Sequence, residues 1–200
     1  MANDLSLNKE QILDAAEQAL KRYGPDKTSV VDVARALQVS HGTLYRHFAS
    51  KAALREAVTE RWLRRSIAEP LAQATGLPQG GSAAERLRLW LDTLIAAKRA
   101  HAAEDPELFA MYAAVTMEAA EMIDAHIDGL ILQMASIIED GITAGELRPG
   151  RPETIARAIF IATSRFHHPA HAREWNAERT DRDYDSVWEL ILAGLALPTA

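Results

Sequence analysis

The stretch from Thr28 to Lys51 constrains the fold most, because two short helical patterns fill it with only a tight polar turn between them. In the first pattern, apolar residues recur at the spacing of one buried helix face: Val30, Val31, Val33, Ala34 and Leu37. Ser29 stands where an N-cap belongs, and Asp32 follows three residues later, close to a capping box.

The second pattern predicts a helix from His41 to Phe48 that is capped by Ser40 and faces the core only through Leu44 and Phe48. Its other side chains are short, polar, aromatic or basic: His41, Thr43, Tyr45, Arg46 and His47. Such a surface packs poorly and suits contact with base edges and phosphates. Two short helices joined by a turn, the second of them polar, indicate a helix-turn-helix.

The rest of the chain predicts an all-α fold, because amphipathic helical patterns recur and no alternating strand pattern occurs. Helices are predicted at about 8–23, 51–70, 83–102, from 106, 119–143, 153–167 and 184–196, with 168–183 irregular. Gly24-Pro25 ends the first helix, and residues 75–83 are the most loop-like stretch. We expect a helix-turn-helix DNA-binding domain at 1–52 and a helical body at 53–200, with the helix from Lys51 as the connector.

The charge distribution favours a nucleic-acid partner for the N-terminal part, although the whole chain carries a net charge of −6. Residues 1–65 hold 11 basic and 8 acidic residues, whereas the remainder holds 11 basic and 20 acidic residues. The chain has no cysteine, which excludes disulfides, a thiol nucleophile and Cys-ligated zinc. Neither a signal peptide nor a membrane span is indicated, so a cytoplasmic protein is expected.

The head strongly resembles the tetracycline-repressor (TetR) family of bacterial regulators over about residues 8–60. The resemblance rests on Thr28, Val-Val-Asp-Val-Ala, Val-Ser-His-Gly-Thr-Leu-Tyr-Arg-His-Phe and Ser-Lys-Ala-Ala-Leu. It implies an all-helical homodimer that binds a double-stranded DNA operator, with a small-molecule inducer in the body and a dimer interface made by the last two helices. It also implies a repressor that the inducer releases from a palindromic operator. The sequence does not distinguish this from an activator, and it identifies neither inducer nor operator.

Four residues match family positions that contact operator DNA: Thr43, Tyr45, His47 and Lys51. Ser40, His41, Gly42 and Arg46 lie beside them. By chemistry, Arg46 suits guanine or phosphate, Thr43 suits a thymine methyl or phosphate, and Tyr45 and His47 suit the DNA backbone. Gly42 costs about 1 kcal/mol against alanine in a helix, which either a close approach to phosphate or a packing contact explains. Thr28 is either a cap or a phosphate contact.

Ligand-binding candidates in the body are bulky or polar residues on inward helix faces. The set comprises Trp90, Phe109, Met111, Tyr112, Met122, His126 and Arg165, and most of them are expected to be ordinary core. Arg165 lies in an otherwise apolar pattern, where a buried guanidinium needs a salt bridge within or between subunits or an anionic ligand.

A metal site at His167, His168 and His171 is the less favoured interpretation, because Pro169 interrupts the helix and Glu174 is the nearest candidate carboxylate. No cofactor is indicated. The sequence contains no recognisable catalytic spacing and no Gly-rich phosphate loop, so we do not expect an enzyme. The alternative function is a helical interaction or small-molecule-binding module that does not bind DNA.

Overall fold

The computed structural model describes residues 7–24, 28–76 and 81–197. The predicted break at Pro25 and part of the predicted loop, residues 77–80, lie outside these ranges. The structure is 80% helical without strands in the described residues, which confirms the all-α class. The helices are α1 (Lys9–Tyr23), α2 (Val30–Ala36), α3 (His41–Tyr45), α4 (Lys51–Leu63), α5 (Glu69–Gly76), α6 (Ala83–Glu104), α7 (Pro106–Glu118), α8 (Ala120–Thr143), α9 (Pro152–Ala162) and α10 (Thr180–Leu195).

Two compact units make up the chain: residues 1–62 with 102–123, here called the head unit, and residues 63–101 with 124–200, here called the body unit. These units divide the chain differently from the predicted domains 1–52 and 53–200, because α7 packs against α1 and belongs to the head unit.

In the head unit, the side chain of Arg61 on α4, which is only 2% exposed, ties α4 to α1. Its guanidinium donates to Asp14 at 2.7 Å, Glu17 at 2.8 Å and Glu10 at 3.2 Å. These acids are spaced i, i+4 and i+7 on α1, so they share one helix face. Burial by itself lowers the pKa of Arg61, but the hydrogen bonds to the three carboxylates outweigh it and raise that pKa.

The apolar core of the head unit is built from three of its helices. α1 contributes Ile12, Ala16 and Leu20; α2 contributes Val33 and Ala34; and α4 contributes Leu54, Val58 and Trp62. Tyr112 of α7 packs on Trp62 with ring centroids 5.6 Å apart.

In the body unit, α6 and α8 share a core. Polar side chains connect this core to α10 and to Arg64–Ala68, the segment before α5. The Trp90 indole N–H donates to Gln133 at 3.1 Å, and the Gln133 amide donates to the Ala68 carbonyl at 3.1 Å. Arg88 donates to Asp185 of α10 at 2.6 Å and stacks over Tyr184 at 4.3 Å. Buried apolar residues fill the space between: Leu87, Leu91, Leu94, Leu130, Met134, Ile138 and Ile159.

Several predicted helix ends are wrong. The helix predicted at 51–70 continues beyond Pro70, because a π-helical segment, Arg64–Ala68, leads from α4 into α5. Pro70 lies in the first turn of α5, where the missing N–H of proline is tolerated. The helix predicted at 153–167 ends at Ala162, where the Thr163 hydroxyl donates to the Ile159 carbonyl at 2.9 Å.

The stretch 168–183, predicted to be irregular, contains a 3₁₀ helix, Pro169–Glu174, and the start of α10 at Thr180. Asp181 and Asp183 in the first turn of α10 favour that earlier start, since carboxylates stabilise a helix N-terminus.

No helix among the described residues has the length and apolar character that a membrane crossing requires.

Replacing Arg61 by methionine removes the shared cation while keeping an apolar stem. Hydrogen bonds between charged groups contribute about 1.5–3 kcal/mol, so we expect the free energy of unfolding to fall by about 2–3 kcal/mol in urea denaturation. Arg64→Met is the matched control: Arg64 is 56% exposed and lies 3.7 Å from Glu69, so its loss should cost less than about 0.5 kcal/mol. Equal losses in the two variants would contradict the role given to Arg61.

Candidate nucleic-acid interface

Both helices of the predicted helix-turn-helix begin at serine caps, as the sequence indicated. The Ser29 hydroxyl accepts from the Asp32 N–H at 3.3 Å, and the Ser29 N–H donates back to the Asp32 carboxylate at 3.0 Å, which completes a capping box. Hydrogen bonds from Ser29 lower the pKa of Asp32. Ser40 caps α3 by accepting from the Thr43 N–H at 3.3 Å. These caps fix where each helix starts.

α3 is shorter than predicted, because it ends at Tyr45 and residues 46–47 form a turn rather than a further helical turn. Its core contacts are those expected: Leu44 and Phe48 are buried. Lys9 of α1 lies over the Phe48 ring, 5.9 Å from its centroid. The helix is thus anchored on one side only.

The predicted DNA-contact residues form the opposite side of α3 and the start of α4. Six of them are exposed and two are half-buried; the exposed ones are Ser40, His41, Gly42, Tyr45, Arg46 and Lys51, and the half-buried ones are Thr43 and His47. Arg46 donates to the Thr43 hydroxyl at 3.3 Å, and that hydroxyl lies 3.0 Å from the Ser40 hydroxyl. Lys51 is the first residue of α4, which Ser50 caps by accepting from the Ala53 N–H at 3.0 Å.

Thr28, also predicted as a cap or phosphate contact, lies inside the head. Its side chain is buried, and its hydroxyl donates to the Gly24 carbonyl at 2.7 Å, with the Ala19 carbonyl at 3.2 Å. Its N–H donates to the Gly24 carbonyl at 3.1 Å. Both donors are therefore committed to closing the turn after α1, which favours the capping role over the phosphate contact.

Electrostatics favour an anion on this surface. No carboxylate occurs between Asp32 and Glu56, whereas the interval contains Arg35, Arg46, Lys51 and Arg55. Arg35 pairs with Asp32 at 3.2 Å and Arg55 with Glu118 at 3.7 Å, while Arg46 and Lys51 are exposed. The acids of α1 converge instead on Arg61. The solvent side of α3 is thus basic, and no carboxylate lies near α3 in the sequence.

Gly42 has room for a side chain. A Cβ at this position would meet only the Ser40 hydroxyl oxygen, at 3.7 Å, which is an ordinary contact. Packing within the protein therefore does not require glycine here, and of the two explanations offered by the sequence a close external approach is favoured.

The predicted ligand residues are divided between the two units. Phe109 and Tyr112 pack edge to face in the head unit, with centroids 5.7 Å apart, and Met111 is buried nearby in sequence on α7. Met122 is half-buried at the start of α8 in the same unit. Trp90 and His126 lie in the body unit, the first fully buried and the second half-buried.

Arg165 is not buried as its apolar sequence context suggested. Its side chain is 51% exposed and donates to Glu174 at 2.6 Å. The side chain is not carried into the core because α9 ends at Ala162 and Arg165 lies in the following 3₁₀ turn, Ser164–Phe166. A salt bridge within the chain, one of the predicted alternatives, is therefore present. His171 Nδ1 lies 3.1 Å from the same carboxylate. Among the described residues, no group of three or more His, Cys, Asp or Glu side chains is arranged to hold a metal ion.

Sequence reasoning missed Lys98 and the deep burial of His167, which are 2% and 4% exposed. Lys98 follows Leu91, Leu94 and Ile95 at helical spacing on the buried face of α6. That spacing was a usable signal, since a lysine rarely lies on a core face. Burial lowers the pKa of Lys98 to about 7. Burial, followed by the charge of Lys98, lowers the pKa values of His126 and His167 to about 3.

Two capped helices joined by a tight turn, with the second exposed on one polar and basic side, define a helix-turn-helix protein. Residues 12–58 match the model of the bacterial regulatory proteins of the tetR family, and residues 83–188 match the tetracyclin repressor-like C-terminal domain. The chain belongs to the TetR family of bacterial transcriptional regulators, which confirms the resemblance seen in the head.

Similar sequences are those of uncharacterized HTH-type transcriptional regulators. One from Mycobacterium tuberculosis is 39% identical over 64 residues, and YvdT of Bacillus subtilis is 34% identical over 67 residues. The matches span 32% of this chain and of the mycobacterial protein, and 34% of this chain and of YvdT. The chain thus covers about a third of the length of these relatives.

Solved structures share the fold over nearly the whole chain. FadR of Bacillus subtilis, crystallised with stearoyl-CoA, superposes with a TM-score of 0.61 at 22% identity, covering 94% of this chain and 100% of that one. NalD of Pseudomonas aeruginosa, the secondary repressor of the MexAB-OprM multidrug efflux pump, gives 0.60 at 22% identity, covering 95% and 98%. A TetR-family regulator of Agrobacterium tumefaciens gives 0.57 at 18% identity, covering 94% and 97%.

Proposed function

We propose that this protein is a ligand-responsive repressor that binds a palindromic operator as a homodimer and is released by a small-molecule inducer. The observation that carries the proposal is the solvent side of α3. It is polar and basic, it lies opposite the buried Leu44 and Phe48, and it belongs to a 23-residue interval, 33–55, without a carboxylate.

In this proposal, α3 enters the major groove and the start of α4 contacts the backbone. Arg46 reads guanine or a phosphate, and Tyr45 and His47 hold the backbone on either side. Lys51 and the backbone N–H groups at the N-terminus of α4 bind a phosphate. The remaining contacts, from Ser40, His41, Gly42 and Thr43, lie at the N-terminal end of α3, where recognition helices approach base edges.

Dimerisation through α9 and α10 is supported by their exposed apolar residues. On α10, Leu190 is 76% exposed, and Ala193 and Gly194 follow it on the same face. On α9, Ala158 and Ile161 are exposed. Small residues beside leucine and isoleucine allow helices of two subunits to approach closely, and a two-fold axis makes the same face serve both subunits.

The body unit is the proposed ligand-binding part. FadR of Bacillus subtilis, which shares this fold, was crystallised with stearoyl-CoA. For release, the inducer must bind the DNA-incompetent conformation more tightly than the competent one, since only differential affinity shifts an equilibrium.

The direct test uses the DNA immediately upstream of the protein's own gene. We expect salt-dependent binding to this duplex, and we expect the double variant Tyr45→Ala, Arg46→Ala to bind about 10-fold or more weakly in a gel-shift assay, because each subunit loses two contacts. Arg148→Ala removes an exposed positive charge from the body unit and serves as the control, with unchanged binding. Normal retardation by the double variant would refute the assigned contacts.

Gly42→Ala should change the free energy of unfolding and the affinity for DNA in opposite directions. The added methyl group has space in the protein and alanine favours helix, so the free energy of unfolding should rise by about 0.5–1 kcal/mol. We expect affinity for the same upstream duplex to fall, because the methyl group intrudes where the backbone approaches DNA. A variant that is more stable and binds the duplex as tightly as wild type would show that this position does not approach DNA.

Leu190→Glu tests the dimer interface. A carboxylate on the paired face of α10 would be buried without a partner, so the variant should be monomeric at micromolar concentration by light scattering and should lose operator binding. Met117→Glu is the matched control, since Met117 of α7 is 86% exposed and lies outside the proposed interface. A dimeric Leu190→Glu protein would place the interface elsewhere.

A further inference from the structure

We propose that Arg55 of α4 is a further phosphate-binding residue of the DNA interface, and that Glu118 of α7 competes with the DNA for its guanidinium. The inference rests on the proposed function, because it adds to the same interface one contact and one residue that limits the affinity. The DNA contacts predicted from the sequence end at Lys51, so they include neither Arg55 nor Glu118.

Arg55 lies on the same face of α4 as the proposed phosphate contact Lys51. The two residues are four positions apart in one α-helix, which places their Cβ atoms about 5–6 Å from each other. With Ser29 and Val30 at the start of α2, both line one small cavity of the head unit. Each DNA strand carries one phosphate about every 3.4 Å of helix axis, so cations at this spacing suit neighbouring phosphates of one strand.

The fold of the head satisfies the guanidinium of Arg55 poorly. Its ion pair with Glu118 has an N–O distance of 3.7 Å, which is too long for a hydrogen bond. Its Nε atom is shielded from solvent and has no hydrogen-bond partner among the described residues. On the same helix, Arg61 donates to three carboxylates at 2.7 to 3.2 Å. Arg61 is thus a structural arginine, whereas Arg55 retains donors for an anion from outside the protein.

Glu118 opposes this contact from the end of α7. It is the last residue of that helix, its side chain is 60% exposed, and the side chain of Arg55 is 24% exposed. Ion pairs between partly exposed groups change an equilibrium only a few-fold, so a stronger anion can displace the carboxylate. A DNA phosphate is such an anion, because the planar guanidinium can donate two parallel hydrogen bonds to it.

The competition differs in its consequences from an ion pair that only ties α4 to α7. If the pair were purely structural, removing either charge would lower the free energy of unfolding and leave the contacts with DNA unchanged. In competition, removing the arginine weakens DNA binding and removing the carboxylate strengthens it. The strengthening requires Arg55, because Glu118 acts on the DNA through that side chain.

The first experiment measures DNA affinity of the full-length Arg55→Gln protein as a function of salt, by fluorescence anisotropy. The DNA is the upstream duplex and, separately, an unrelated duplex of the same length. We expect about 10-fold weaker binding and a salt slope smaller by about 2 per dimer, because each subunit loses one phosphate contact. Both duplexes should be affected alike, since a phosphate contact carries no sequence information.

Two variants control for charge and for position. Arg55→Lys keeps the positive charge and should keep the wild-type salt slope. Arg148→Gln removes an exposed positive charge from the body unit and should bind both duplexes as wild type does. Urea denaturation of each variant shows whether it is folded.

The second experiment is a double-mutant cycle. Glu118→Gln should bind both duplexes about 3-fold or more tightly than wild type, and this gain should vanish when Arg55→Gln is also present. Glu121→Gln is the matched control, because Glu121 is an exposed acid three residues further along in the same unit. Any gain from Glu121→Gln should be equal with and without Arg55.

Unchanged affinity and salt slope in a folded Arg55→Gln protein would overturn the inference, as would a Glu118→Gln gain that persists without Arg55. Should Arg55→Gln fail to fold, the comparison of Glu118→Gln with Glu121→Gln decides, and equal affinities of these two variants refute the competition.

The proposed function and this inference fail in distinguishable ways. If the Tyr45→Ala, Arg46→Ala variant loses the upstream duplex while Arg55→Gln binds it normally, the proposed function stands and the inference does not. If wild-type protein prefers the upstream duplex no more than the unrelated one, the operator assignment fails. Binding of the unrelated duplex at low salt then still reports on Arg55 and Glu118.

Discussion

The structure of the head depends on one buried guanidinium. Arg61 of α4 binds Glu10, Asp14 and Glu17 of α1 and so ties these two helices of the head together. α3 depends on this frame, because a five-residue helix has almost no stability of its own. The buried Leu44 and the following Phe48 anchor it. α3 packs on α2, and α2 packs on α1, the helix that Arg61 ties to α4.

The same cluster explains how a protein of net charge −6 presents a basic surface. The carboxylates of α1 would otherwise contribute negative potential to the head, but three of them are paired with a cation that is itself shielded from water. The interval 33–55, which includes α3, contains no acid at all. Net charge is thus a poor guide to nucleic-acid binding when opposite charges are separated along the chain and paired within one part of it.

Local signals made much of the head predictable. Serine caps, apolar spacing and the polar side of α3 each depend on residues within four positions of one another, so the sequence alone indicated both helices, their starts and their core contacts. Thr28 depends instead on carbonyl groups of Ala19 and Gly24, and no local pattern shows that its hydroxyl is committed there. The role of Arg61 was likewise not predictable, since its partners lie 44 to 51 residues away.

Lys98 and Arg165 show when helical periodicity identifies a buried charge. Both lie among apolar residues, and extrapolating the apolar face places both in the core. For Arg165 the extrapolation fails, because α9 ends at Ala162 and the chain turns before the guanidinium is reached. For Lys98 it holds, because α6 continues unbroken for 22 residues and carries the amine inward with Leu94 and Ile95. A charged residue at a position that the helical spacing assigns to the core breaks the rule that core positions are apolar. Proteins break such rules mostly at functional sites. Here only the uninterrupted helix α6 carries its charged residue, Lys98, into the core.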